Sequence, residues 1–186
     1  VPYKHLVTQW IKDIKKELIG SVIIEVHGDS PGWRKKLSQF LSDYCDGFIK
    51  KLVIVALYDS LSSNDFIRIF LNYFGDKRTY VMVADEVHNF GAPEYCNGML
   101  TNIKMRLGLS ATPARWFDEE GTQKLTNYFD KTVYVYDLKM AIANNYLTPY
   151  EYYPITVQMD LDEFEEYSNL SKDIIHYRFK KLKKEN

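Results

Sequence analysis

The chain has 186 residues, with 24 Lys and Arg against 25 Asp and Glu, for a formal net charge of -1. That length carries one compact domain with a real core, and 46% hydrophobic with 26% charged residues excludes a disordered tail. Two cysteines, Cys45 and Cys96, with no C-x-x-C pair, exclude a disulfide scaffold and a zinc ribbon, and no stretch approaches the roughly 18 unbroken apolar residues of a membrane span.

The opening VPYKHLVTQW has no basic-then-apolar leader, so a reducing, cytoplasmic setting is the expectation. It lacks an initiator Met and begins mid-pattern, which reads as a piece of a longer chain. Tyr3–Ile19 repeats apolar residues at Leu6, Trp10, Ile14 and Leu18, a helical spacing. Ser21–His27 reads as a buried strand. Pro31–Tyr44 reads as a helix with Ser30 as cap and Pro31 at its first position. Leu52–Leu57 is a second strand, and Asp59–Tyr73 a helix with Leu61, Phe66, Ile69, Phe70 and Tyr73 on its apolar side. Tyr80–Ala84, Met105–Leu109 and Thr132–Tyr136 are further strands, and Asp137–Asn144 is a short helix. Leu147-Thr148-Pro149 breaks the pattern. Tyr152–Met159 alternates like a strand, and Asp160–Lys184 reads as a long charged helix. Brief Val- and Ile-rich strands alternating with helices predict an α/β fold, with a mainly parallel sheet covered on both faces.

Val81–Phe90, VMVADEVHNF, is the most informative segment. An apolar strand runs into two adjacent carboxylates, Asp85 and Glu86, with His88 two residues on. Acids at the end of a buried strand are costly unless they have cationic work. Ligands of open α/β sheets bind at the carboxyl ends of strands, where these acids fall. One can hold a hydrated Mg²⁺ and the other can orient a water for attack on phosphorus. Leu107–Arg115, LGLSATPAR, is a second apolar strand, ending in Ser110, Ala111, Thr112 and Pro113. Its small hydroxyls can bond a neighbouring acid or imidazole without filling a cleft. His27, His176, Trp33 and Trp116 read as packing or solvated residues. The Arg178–Lys184 charge run reads as a solvated helix face.

Together the two motifs resemble the superfamily 2 helicases and translocases. Asp85-Glu86-Val87-His88 is similar to their motif II, the DExH box, and Ser110-Ala111-Thr112 to motif III. Val1-Pro2 with Leu6, Gln9 and Trp10 resembles motif Ia. Ile54–Leu61, IVALYDSL, resembles motif Ib, with Leu57 where Thr is common. Leu147-Thr148-Pro149-Tyr150 resembles the end of the first motor lobe in XPB-like and restriction-type members.

The resemblance implies a RecA-like P-loop NTPase lobe over residues 1–146, with a strand and charged helix over 147–186 leading toward a second lobe. It implies ATP and Mg²⁺ as cofactors, and double-stranded DNA and a second RecA-like lobe as partners, with no membrane. Asp85 would hold Mg²⁺ through water and Glu86 would polarise the attacking water. His88 would couple the nucleotide site to Ser110 and Thr112. Gln9, Trp10, Tyr58, Asp59 and Ser60 would face nucleic acid. The departure is that no G-x-x-x-x-G-K-[ST] occurs. The resemblance therefore implies a lobe cut before its P-loop, with a gap in the sheet near Met105–Leu109 or Tyr80–Ala84. A non-catalytic nucleic-acid-binding or assembly module on the same scaffold is the alternative.

Overall fold

The computed structural model describes residues 1–75, 79–112, 114–115 and 118–184, the last seven of these by backbone only. The positions of Pro113 and Trp116 and the side chains of the Arg178–Lys184 run lie outside the described residues. Two compact units are present, Val1–Val133 and Tyr134–Asn186. The short helix after Asp137, which the sequence reading groups with the lobe, falls in the second unit.

In the first unit, helix α1 (Lys4–Glu17) is followed by strand β1 (Val22–Val26), helix α2 (Trp33–Cys45) and strand β2 (Leu52–Ala56). The expected start of α2 moves. His27 and Ser30 close a turn, and Gly32 caps the helix at φ 65°, a left-handed conformation that glycine adopts without penalty. The single helix expected over Asp59–Tyr73 is two, α3 (Tyr58–Leu61) and α4 (Asn64–Tyr73). Ser63 separates them, its hydroxyl accepting from Phe66 N–H as an N-cap. β1 and β2 pair in parallel with Val22 opposite Leu52 and Val26 opposite Ala56.

Alternation along these strands feeds two cores. Ile24 and Val26, with Leu52, Ile54 and Ala56, face Trp33, Leu37 and Leu41 of α2 and Phe66, Ile69 and Phe70 of α4. Ile23, Val53 and Val55 face Val7 and Ile11 of α1. Fully buried Leu37 and Val26 each contribute about 1.5–3 kcal/mol over an exposed side chain.

Strand β3 (Val81–Asp85), the single-turn helix α5 (Val87–Phe90), a 3₁₀ segment (Pro93–Gly98), strand β4 (Met105–Leu109) and helix α6 (Glu119–Phe129) complete the unit. β3 and β4 pair in parallel, Val81 opposite Met105 and Asp85 opposite Leu109. Ala84 packs with Val87, Phe90, Leu125 and Tyr128.

Two expectations about the sheet are corrected. The described strands form two separate two-stranded sheets, not one. No described strand bridges β2 and β3; between them lies an apolar cleft of about 500 Å³, lined by Leu52–Ala56 and Thr79–Ala84 among others. Helices cover both faces of β1–β2 but not of β3–β4. Val81, Val83, Met105 and Leu107 share one face and are all exposed.

The second unit holds α7 (Leu138–Ala143), capped by the Asp137 carboxylate on Met140 N–H at 2.8 Å, and the long helix α8 (Leu161–Lys184). Neither Thr132–Tyr136 nor Tyr152–Met159 forms a strand. The exposed Tyr152, Ile155 and Val157 show why the second fails: alternation makes a strand only when a neighbouring edge takes its backbone bonds. Among the described residues no helix is long and apolar enough to cross a membrane.

Candidate active site

Because β3 and β4 are parallel and in register, the residues just past their carboxyl ends reach one rim. Asp85 ends β3. Glu86 follows at φ 48°, ψ 51°, a left-handed conformation that costs a non-glycine residue about 1–3 kcal/mol. That turn breaks the strand and starts α5. The Glu86 carbonyl accepts from Asn89 N–H at 2.9 Å and from the Asn89 amide Nδ2 at 3.3 Å.

His88 then lies between two polar neighbours. Its Nδ1 is 2.9 Å from Ser110 Oγ and its Nε2 is 3.0 Å from Asn89 Nδ2. Glu86 Oε2 is 3.5 Å from the same Nδ1. Ser110 Oγ also accepts from Thr112 N–H at 3.1 Å. The structure thus brings together Asp85, Glu86, His88, Ser110 and Thr112.

The residues expected to face nucleic acid divide into two sets. Gln9 and Asp59 are exposed and Ser60 is half-buried. Trp10 and Tyr58 turn inward. The Trp10 indole N–H donates to Asp85 Oδ2 at 2.7 Å, and the Tyr58 hydroxyl donates to the Asp85 carbonyl at 2.5 Å. Tyr58 also stacks on Phe90, ring centroids 4.6 Å apart. Its phenol is pushed well above the usual tyrosine range, by burial first and then by the charges of Asp85 and Glu86. Segments 75 and 27 residues away thus meet at one aspartate.

Sequence reasoning missed Arg115. Its guanidinium NH1 donates to the His88 carbonyl at 2.6 Å, and its Nε pairs with Asp118 at 2.6 Å. Asp118 caps α6 by accepting from Gly121 N–H at 2.7 Å. That bond, and then Arg115, holds its carboxyl below the usual aspartate range. The available signal was an Arg three residues before an Asp that opens a helix.

An open depression of about 240 Å³ at this rim is lined by His88, Thr112, Ala114 and Arg115. The larger apolar cleft runs along the strands and takes in the Trp10 and Tyr58 rings, but none of Asp85, Glu86, His88, Ser110 and Thr112 lines it. Among the described residues, no group of three or more His, Cys, Asp or Glu could cage a metal ion. Mg²⁺ does not need one, since it keeps several waters and takes one or two carboxylates plus phosphate oxygens. Asp85 fits that requirement: each carboxylate oxygen accepts one protein donor, Trp10 Nε1–H or Glu86 N–H, and keeps a lone pair.

The family profile of the type III restriction enzyme res subunit matches residues 1–115. No curated protein and no solved structure matches the chain. The matched span is more than half of the sequence and holds every residue of the rim up to Arg115, so the chain belongs to the helicase-like family of type III restriction enzyme res subunits.

Proposed function

We propose that the chain is the acidic part of the first RecA-like lobe of an ATP-dependent DNA helicase or translocase. ATP hydrolysis in the full-length protein would be coupled to movement on double-stranded DNA, with a second lobe closing on the first. The observation that carries this reading is the joining of Glu86, next to Asp85, to Ser110 through His88, with Ser110 in turn holding the Thr112 amide, at one strand-end rim. Asp85 would hold Mg²⁺ through water. Glu86 would orient the attacking water, its left-handed backbone turning the carboxylate away from the strand line. Gln9, Asp59 and Ser60 would contact phosphates, which fixes position without reading sequence.

The residues present do not fit the triphosphate itself. The sequence has no G-x-x-x-x-G-K-[ST] and so no amide cradle or phosphate lysine. In this reading that part comes from elsewhere in the full-length protein. The β2–β3 cleft supports it. Val1 already bonds like a parallel strand residue, its amine donating to the Ala56 carbonyl and its carbonyl accepting from Tyr58 N–H, both at 3.0 Å. A strand running into Val1 through the cleft would join the two small sheets into one. The missing cradle also favours the second reading, a non-catalytic module on this scaffold.

ATP hydrolysis by the full-length protein, with and without duplex DNA, separates the two. Mg²⁺-dependent turnover stimulated by DNA is expected of the motor. DNA binding with no turnover at any Mg²⁺ concentration would establish the scaffold instead.

A further inference from the structure

Trp10 sits on α1, one turn beyond Val7, and Val7 and Ile11 are buried against the β1–β2 sheet. That anchoring fixes the direction in which the Trp10 ring projects. The indole Nε1–H can only donate. It is 2.7 Å from Asp85 Oδ2, while the other oxygen, Oδ1, accepts from Glu86 N–H at 3.0 Å. One donor on each oxygen fixes the carboxylate plane as well as its position. A hydrogen bond to an ionised acceptor is also the stronger kind, about twice a neutral one. The Tyr58 hydroxyl pins the Asp85 backbone from the other side.

We propose that Trp10 is a positioning residue for the Asp85 carboxylate, tying α1 to the acid that would hold Mg²⁺. The inference rests on the metal role given to Asp85 above. Gln9, next to Trp10, is exposed, and Asp59, next to Tyr58, is exposed. At both places a residue open to solvent is adjacent to one that touches Asp85. A phosphate backbone that shifts α1 or α3 would therefore shift the carboxylate, with no intervening residues. A purely packing role accounts for the ring, which lines the apolar cleft with Ile14 and Leu18. It does not account for a polar nitrogen aimed at the one aspartate at the strand end.

The test uses the full-length protein and Mn²⁺ in place of Mg²⁺. Mn²⁺ affinity is read by electron paramagnetic resonance with a non-hydrolysable ATP analogue present. Trp10→Phe keeps the apolar ring and removes the donor. It should weaken Mn²⁺ binding about 10-fold and leave the melting temperature within a few degrees. Asp85→Asn is the second arm. If Asp85→Asn abolishes Mn²⁺ binding and Trp10→Phe leaves it within twofold of wild type, the Trp10 role is overturned and the Asp85 reading stands. If Asp85→Asn leaves Mn²⁺ binding intact, the Asp85 reading falls and takes the Trp10 role with it. Should Trp10→Phe not fold, the ¹⁵N-labelled wild-type protein decides. The Trp10 indole N–H resonance should move on adding Mg²⁺ with the analogue, and an unmoved resonance overturns the proposal.

Discussion

His88 Nδ1 lies 2.9 Å from Ser110 Oγ while its Nε2 lies 3.0 Å from the Asn89 amide Nδ2. The same amide also donates to the Glu86 carbonyl, which settles its orientation. Both ring nitrogens are satisfied when His88 donates from Nδ1–H to Ser110 and accepts at Nε2 from Asn89. Ser110→Ala removes that acceptor. We expect the ¹⁵N pattern of His88 to show the Nδ1–H tautomer in the native chain and a mixture in the variant. Stability should fall by about 1 kcal/mol. A dominant Nε2–H form in the native chain would contradict this arrangement.

Tyr58→Phe removes one buried hydrogen bond and keeps the stack on Phe90. It should cost about 1 kcal/mol, leaving the Asp85 carbonyl without that partner. The phenol also gives a pH dependence. Its folded pKa is raised above the ordinary 10.0, so its contribution is fully present below pH 10 and is lost as pH rises beyond it. Burial also raises Tyr95 and Tyr128, so absorbance at 295 nm should show one fewer tyrosine resisting ionisation in Tyr58→Phe than in the native chain.

Gly91 caps the end of α5, with its Cα against α6. An added Cβ would lie 2.8 Å from both Arg115 Cδ and the Gly121 carbonyl, and 3.0 Å from Leu125 Cδ1. A backbone carbonyl cannot yield as a flexible side chain can. Gly91→Ala should cost about 1–3 kcal/mol through overpacking, read by thermal unfolding. It should also loosen the Arg115 hold on the His88 carbonyl.

The strands nearest the chemistry were legible from sequence, because β1 to β3 are short Val-containing apolar runs, β4 is the apolar run MRLGL, and each is bounded by turn residues. The acid pair and Ser110-Ala111-Thr112 were legible because each sits directly after such a run. What was not legible depends on distant partners. Thr132–Tyr136 reads as a brief apolar strand and Tyr152–Met159 alternates like one, yet neither pattern specifies a pairing edge. Pro31 was a fair helix opener, but Gly32 in a left-handed conformation takes that place. Nothing local to Trp10 or Tyr58 announces Asp85, 75 and 27 residues away. Arg115 reads as one more surface cation until α6 folds beside it.

Glu86→Gln in the full-length protein tests the central claim most directly. The amide keeps the size and the left-handed turn but cannot take a proton from water. ATP turnover, measured with Mg²⁺ and saturating duplex DNA, should fall by about 10²–10⁴-fold, while affinity for a non-hydrolysable ATP analogue stays within about threefold. Turnover within a few fold of wild type would contradict the placement of hydrolysis at this rim.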